Sequence, residues 1–462
     1  MSDIPPFSFL EVMEVRKRIH LNKRYSLPDD IKVVHHNEVI LVIAPSCANY
    51  IILHNQKQVE FFLLLYEFSL KEAIVQKEEL GLSEDDISNV ITQIEAKHFY
   101  NLHAYEVRGL FQMHLYLTNA CNLKCPHCYM FSGKPYDDEL SFNEICKLLE
   151  SFKNHGGVFL ILSGGEVTVR QDFPAIVKFG HKIGLSINVM TNGTLWSKEM
   201  VEDLAPYISS VQISIDGYNE ETNSRVRGIG SFQKSLETID MFLRLGISTT
   251  VAITPWLDEN LKGQIDRYIQ FRKDLEYKYR GKRINIKFSG DLMSGRSINV
   301  DQATHANYAT IMKRIMYAEQ YDTMERDSFV YNQKQKTIKR NWCTYGHLTV
   351  TATGDLYFCG KISECKPFGN LRKMPLEQIM ELCTKVREIS EVDNLIPCKD
   401  CELRYICGGD CRIKYFSFLY DGGNMIKSDL SNKSLQINRV CTRFQKSYWY
   451  DLMIEANEYL YT

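Results

Sequence analysis

Three cysteines fall close together in the run Cys121-Asn122-Leu123-Lys124-Cys125-Pro126-His127-Cys128. Three thiolates in one short loop can hold three corners of a four-iron cluster. The fourth iron then stays open to a small molecule and to electron transfer. Zinc is the other metal such residues bind, but it closes its tetrahedron with four ligands, usually in two paired clusters. The apolar alternation Met113-His114-Leu115-Tyr116-Leu117 leads straight into the triplet and places it at the C-terminal end of a strand. A cluster loop fits that position better than a zinc knuckle.

A second cysteine pattern occupies the C-terminal third: Cys343, Cys359, Cys398, Cys401, Cys407, Cys411 and Cys441. Read locally, Cys398, Cys401, Cys407 and Cys411 could form a zinc knuckle. Residues 345–350 and 355–358 are expected to form a β-hairpin across Thr353-Gly354, with Cys359 at its exit. Cys47, Cys146, Cys365 and Cys383 fall outside both patterns. Cys146 and Cys383 lie in helical stretches and are expected as buried small apolar residues.

The elements that must position these residues alternate between strand and helix. Helical spacing covers 141–154, 173–183, 197–205, 231–245 and 260–277, and strands are expected at 158–162, 185–190, 211–215, 249–253 and 284–288. About six βα units predict an α/β fold, a parallel sheet with helices outside, open or curved into a partial barrel. Such sheets carry their functional loops at strand C-termini. Ser163-Gly164-Gly165-Glu166, Thr191-Asn192-Gly193-Thr194 and Asp216-Gly217 all fall there. Gly164 and Gly165 would let backbone approach a ligand closely, and Glu166 could accept from a cationic amine; an ordinary tight turn is the plainer reading.

The triplet and the segments after it resemble the radical SAM superfamily over about residues 111–290. The resemblance implies a 4Fe–4S cluster on Cys121, Cys125 and Cys128, with S-adenosylmethionine chelating the open iron. Its reductive cleavage would give a 5′-deoxyadenosyl radical that takes hydrogen from substrate. Gly164, Gly165 and Glu166 match the segment that binds the methionine amino group. Ser214 and Asp216 lie in the ribose and carboxylate contact region. Arg227, or else Arg225, would stand near the cofactor carboxylate, with a surface salt bridge as the bland role for either. His127 fills the aromatic slot where the family packs adenine, which needs a flat side chain and no acid–base chemistry.

Downstream, the seven later cysteines resemble the SPASM extension. Carried over, Cys398, Cys401, Cys407 and Cys441 would hold a distal cluster, and Cys343, Cys359 and Cys411 three corners of one nearer the active site. Relatives often supply its fourth ligand from a cysteine just before the first. Here the stretch 334–340 is basic and has none, and no cysteine lies between Cys146 and Cys343. The nearer cluster would keep an open iron, or take Cys365 or a substrate group. The resemblance thus implies S-adenosylmethionine, three 4Fe–4S clusters and an external electron donor such as flavodoxin or ferredoxin.

The first hundred residues read as strands at 31–34, 39–43 and 50–53, then helices at 59–66, 70–76 and one opened by Ser83 with Asp86 three residues on. This order suggests a small winged-helix-like domain. Its acidic third helix disfavours DNA, and the arrangement resembles the RiPP recognition element of ribosomal peptide maturases. Such domains bind a leader peptide as a strand beside their third strand, against the third helix; a purely structural domain is the alternative. The expected organisation is therefore a leader-binding domain at 1–105, a radical SAM partial barrel at 106–300, a bridging region at 301–342 and a SPASM domain at 343–462.

Composition agrees. The 462 residues are 44% hydrophobic with a formal charge of −2, which supports neither nucleic-acid binding nor a basic membrane patch. No secretory signal or membrane-length apolar run is evident. Fourteen cysteines without such a signal point to metal chemistry in a reducing cytoplasm. The expected activity is crosslinking (thioether or carbon–carbon) of a ribosomally made precursor peptide. A sulfatase-type maturase making formylglycine ranks lower, because Gly360 stands where that family typically has an acidic residue. An iron–sulfur electron carrier is the non-enzymatic alternative, and the intact Gly-Gly-Glu segment argues against it.

Overall fold

The computed structural model describes residues 20–101, 111–289, 292–301, 345–409 and 443–461, with short pieces at 105–106, 303–304, 307–308, 311–312, 315, 338–339, 343, 411–415, 435–436 and 441. Most of the expected bridging region, and the basic stretch before Cys343 apart from residues 338–339, lie outside the described residues.

The N-terminal strands β1 (Lys32–His36), β2 (Val39–Ala44) and β3 (Asn49–Leu53) form an antiparallel sheet in that order. Helices α1 (Gln56–Leu64), α2 (Leu70–Val75), α3 (Lys77–Leu80) and α4 (Glu84–Ala96) follow. Ser83 caps α4 in a capping box with Asp86, as its spacing predicts. Strands β2 and β3 are buried on both faces. Val42, Ile51 and Leu53 pack on the helices with Phe61, Phe62 and Ile94. Leu41, Ile43, Tyr50 and Ile52 pack on Leu403, Ile406 and Met453 of the C-terminal region.

A short pair, β4 (Tyr105–Glu106) and β11 (Ile338–Lys339), is parallel. The main sheet begins with β5 (Phe111–Tyr116), β6 (Gly157–Ser163), β7 (Ser186–Thr191), β8 (Ser210–Ile215), β9 (Ser248–Ile253) and β10 (Ile284–Phe288), all parallel neighbours. The crossovers carry α5 (Phe142–Asn154), α6 (Phe173–Lys182), α7 (Lys198–Leu204), α8 (Glu220–Arg227), α9 (Ser231–Arg244) and α10 (Ile265–Lys278). These are the βα units the periodicity predicts. Along β7, β8 and β9 the residues Ile187, Val189, Val211, Ile213, Val251 and Ile253 are buried in the helix-facing core. Their neighbours Asn188, Met190, Gln212, Ser214, Thr250 and Ala252 are half-buried on the other face, which is therefore partly polar.

The hairpin β12 (Leu348–Val350) and β13 (Asp355–Tyr357) forms across Thr353-Gly354 as expected, with β14 (Gly369–Asn370) beside it. Its placement was not expected. β12 pairs in parallel with β5, Leu348 opposite Met113, so one nine-stranded sheet runs from barrel to cysteine-rich region. Arg372 secures this seam, its Nε donating to Glu144 at 2.7 Å. Helix α11 (Leu376–Ile389) precedes the pair β15 (Leu395–Ile396) and β16 (Leu435–Gln436). Around that pair lie α12 (Arg404–Cys407), α13 (Arg412–Tyr415) and the terminal α14 (Arg443–Tyr461).

Candidate active site

The cysteine loop leaves β5 and is fastened on several sides. Cys121 N–H donates to the Gly133 carbonyl at 3.0 Å, closing the loop on its own return strand. Asn122 accepts from Asn192 Nδ2 at 2.9 Å and donates to Thr194 Oγ1 at 2.9 Å, tying it to the turn after β7. The segment after β10 covers it: Ser297 N–H donates to the Pro126 carbonyl at 2.8 Å, and Arg296 to the Ser132 carbonyl. A Cβ on Gly295 would come within 2.5 Å of the His127 carbonyl carbon, so this covering segment needs glycine there.

Gly164 and Gly165 make close backbone contacts within the chain. A Cβ on Gly165 would stand 2.1 Å from the Ala120 carbonyl oxygen, and one on Gly164 2.5 Å from that of Thr118. This closeness lets Gly165 and Glu166 N–H donate to the Thr118 and Ala120 carbonyls at 2.7 and 2.8 Å. Glu166, 1% exposed, accepts from Thr168 Oγ1, Thr191 Oγ1 and Asn192 N–H at 2.7, 2.6 and 2.7 Å. Its carboxylate thus clamps the ends of β6 and β7 beneath the thiols.

Asp216, Arg227 and His127 come together beside Cys125. Arg227 Nε donates to Asp216 at 2.6 Å, and His127 Nε2 lies 3.5 Å from the same oxygen. Asp216 is fully buried and the Arg227 side chain is 11% exposed, and the Arg227 charge is within electrostatic reach of Cys121 and Cys125. Arg225 points away and pairs with Glu221 on its own helix. Burial holds His127 below the ordinary imidazole range, so the ring is a neutral flat surface, and its buried Nδ1 has no hydrogen-bond partner. Ser214 is half-buried on the partly polar face, opposite Ala252 of β9. The nearby His114 Nε2 and Asn188 Oδ1 are buried and unpartnered as well. Buried polar atoms left without partners are uncommon and mark room for water or a ligand.

In the C-terminal region Cys359 lies at the exit of β13, its Sγ accepting from Lys361 N–H at 3.5 Å. Cys343, Cys411 and Cys365 are among its thiol neighbours. Cys401 neighbours Cys398, while Lys446 on α14 is close to Cys401 and Cys441. Arg412 is wholly buried within electrostatic reach of Cys343, Cys398, Cys407 and Cys411. Burial pushes the thiols up, Cys121 and Cys401 to about 11 and Cys359 to about 12. Cationic metal offsets that cost by holding the thiolate form.

Between the two cysteine regions stands a tyrosine pair. Tyr116 Oη and Tyr129 Oη are 3.0 Å apart, and Tyr116 donates to the Gly360 carbonyl at 2.8 Å. Tyr129 is within electrostatic reach of both Cys128 and Cys359.

Comparison with known proteins settles the family. The radical SAM superfamily pattern matches residues 115–268, and the SPASM iron–sulfur cluster-binding domain matches residues 342–402. The chain carries a radical SAM domain followed by a SPASM iron–sulfur domain. It is 28% identical over 272 residues to the sporulation killing factor maturation protein SkfB of Bacillus subtilis, a match covering 58% of this chain and 62% of that one. It is also 28% identical to the AdoMet-dependent heme synthase of Methanosarcina barkeri, over 65% of this chain and 90% of that one. The solved structure of anSMEcpe with bound AdoMet and a Kp18Cys peptide has the same fold, with a TM-score of 0.51 at 16% identity over 75% of this chain and 99% of that one.

The donor sets suit what a radical SAM/SPASM enzyme carries. Cys121, Cys125 and Cys128 offer soft sulfur ligands in one loop, with a guanidinium nearby to balance an anionic cluster. The unpartnered His127 Nδ1 suits a hydrogen-bonding ligand such as S-adenosylmethionine. Four features of this radical SAM/SPASM site escaped the sequence reading. Glu166 spends its oxygens on threonines from separate loops, and the 292–301 segment covers the cysteine loop. Tyr129 and Arg412 each follow a cysteine directly, a signal present in the sequence but not used. Among the outlying cysteines, Cys383 is buried as expected, whereas Cys146 is only half-buried, on the outer helix α5. No helix among the described residues is long and apolar enough to cross a membrane.

Proposed function

We propose that this enzyme installs a thioether or carbon–carbon crosslink in a ribosomally made precursor peptide, the leader being read by the N-terminal domain. The observation that carries the reading is the docking of that domain on the cysteine-rich region. Tyr50 Oη donates to the Met453 carbonyl at 2.8 Å, and His36 Nε2 lies 2.7 Å from Asp451. A peptide held on this domain is held beside the region that would carry the auxiliary clusters. The kinship with a killing-factor maturation protein supports a peptide substrate.

The edge of β3 sets a condition on such docking. Its outward N–H groups at Tyr50, Ile52 and His54 donate to the side-chain oxygens of Asn49, Gln93 and Gln58 at 2.8, 2.7 and 2.9 Å. Gln93 Nε2 returns a hydrogen bond to the Ile52 carbonyl. These amides stand where an added strand would bond, so a leader binds β3 by exchanging with them.

Cys121, Cys125 and Cys128 would hold the cluster, and S-adenosylmethionine bound beside it would supply the radical chemistry that removes hydrogen from the peptide. The protein's own share is placement. Glu166 and Asn192 fix the loop, Arg227 and Asp216 supply paired charge beside Cys125, and the 292–301 segment is hydrogen-bonded to the loop through Ser297 and Pro126. Formylglycine formation ranks lower on geometry too. A Cβ at Gly360 would meet His114 Nδ1 at 2.9 Å, leaving little room for an acidic side chain.

The test is anaerobic. Reconstituted protein with S-adenosylmethionine and dithionite should form 5′-deoxyadenosine. Mass spectrometry should show loss of two hydrogens from a candidate precursor encoded beside the gene. Deoxyadenosine formation with no change in any neighbouring peptide, but turnover of a porphyrin, would overturn the peptide reading.

A further inference from the structure

We propose that Cys365 is the fourth ligand of the nearer auxiliary cluster, closing it entirely with protein thiolates. This deepens the proposed function and rests on the expected placing of that cluster on Cys343, Cys359 and Cys411. All fourteen cysteines are described, so each can be placed. Cys47 is buried in the N-terminal domain with its Sγ 3.6 Å from the Tyr100 carbonyl. Cys146 lies on α5 near Glu150 and Asp172. Cys383 is enclosed in the apolar core near Arg387. Neither Cys146 nor Cys383 has a cluster cysteine among its charged neighbours. Cys365 does: Cys359 and Cys411 are both within its electrostatic reach.

The backbone explains how. After Cys359 the chain makes a single 3-10 turn, Ile362–Glu364, with Glu364 N–H bonded to the Lys361 carbonyl and Cys365 N–H to that of Ile362. That turn takes up the short stretch of chain between Cys359 and Cys365. Lys361 pairs with Glu364 at 3.6 Å, and Ser363 Oγ contacts Met293 Sδ at 3.3 Å, which fixes the turn against the segment covering the first cysteine loop. On ligation an iron–sulfur bond forms, the thiol proton passes to solvent, and no electrons are exchanged. The consequence is mechanistic. A cluster closed in this way accepts electrons through space or through Tyr116 and Tyr129, and a substrate thiolate reaches its iron only by displacing Cys365.

The experiment uses the full chain carrying Cys121→Ala, Cys125→Ala and Cys128→Ala, which removes the one cluster that would have an open iron by design. Anaerobic reconstitution should leave roughly eight irons, the sum for two four-iron clusters. Brief oxidation should then give little of the three-iron EPR signal that arises when an unprotected corner is lost. Adding Cys365→Ala, or Cys365→Ser where alanine folds poorly, should produce that signal or lower the iron toward four, one cluster's worth. Cys146→Ala in the same background should do neither. A strong three-iron signal with Cys365 intact, unchanged by its replacement, would overturn the proposal while leaving both auxiliary clusters standing. Iron near zero in the background protein would instead overturn the auxiliary-cluster assignment, and the proposal with it.

Discussion

Gly165→Ala separates two accounts of the Gly-Gly-Glu segment. The added Cβ would lie 2.1 Å from the Ala120 carbonyl oxygen, 2.6 Å from its carbon and 2.8 Å from the Asn119 oxygen. Reaching even 3.0 Å requires a retreat of 3.0 − 2.1 = 0.9 Å, and every obstacle is backbone. Overpacking of this kind costs about 1–3 kcal/mol. The retreat also stretches the hydrogen bonds from Gly165 and Glu166 to the cysteine loop, each worth about 0.5–1.5 kcal/mol. Together the loss is about 2–6 kcal/mol. It belongs to the polypeptide itself, so it should appear before any cofactor is added. The expected result is a lowered thermal midpoint for cluster-free protein and faster amide exchange at Gly165 and Glu166. Iron loading should suffer as a consequence, because the same loop carries Cys121. Wild-type unfolding and exchange in the cluster-free variant, combined with loss of S-adenosylmethionine binding, would refute the reasoning and return these glycines to ligand approach.

Arg227→Ala leaves Asp216 buried without its ion-pair partner and should cost about 3–5 kcal/mol. Arg225→Ala, on the exposed side of the same helix, should stay within about 1 kcal/mol in the same unfolding measurement. Gln93→Ala removes the partner of Ile52 N–H and C=O at the β3 edge, a loss of about 1–3 kcal/mol for each group left unsatisfied. Hydrogen exchange should accelerate at Ile52 and leave Ile51, which pairs inward with Val42, unchanged. Glu144 is lowered to about 2, first by its hydrogen bond from Arg372 and then by Ser141. A carboxylate depressed in the fold contributes its full stability above the ordinary value near 4.5 and loses it as pH falls through the folded value. The gap in thermal midpoint between wild type and Glu144→Gln should therefore hold above pH 4.5 and close as the pH approaches 2. A gap that persists at pH 2 would show that the Arg372 seam does not depend on that charge.

The barrel strands and helices are legible because their apolar spacing is regular: 141–154 and 173–183 are expected as helices and end within a residue of Phe142–Asn154 and Phe173–Lys182. Helix α8 is not legible this way. Its sequence Glu-Glu-Thr-Asn-Ser-Arg-Val-Arg buries only Thr222, Asn223 and Val226, so no apolar stripe announces it. Its local signals are the cap formed by Asn219 and Thr222, the acidic first turn, the basic last turn and Gly228 at its end. The cysteines reveal themselves by type and spacing, but their surroundings depend on residues far away in the chain. Glu166 meets Thr191 and Asn192 across a crossover, and Asp216 meets Arg227 through an unexpected helix. The gathering of Cys365 with Cys411 depends on tertiary folding that no spacing rule contains.

The seam between β5 and β12 has a consequence for biogenesis. Leu348 opposite Met113 is a contact across 348 − 113 = 235 residues. A ribosome adding about 5–20 residues per second takes roughly ten to fifty seconds to deliver the second strand after the first. Throughout that interval the nascent chain can pair β5 with β6, yet its other edge stays bare, a row of unpaired amides and carbonyls leading into the three thiols. Bare edges recruit other chains. The yield of usable enzyme is then decided during synthesis, by whatever covers that edge until the C-terminal third arrives to take its place.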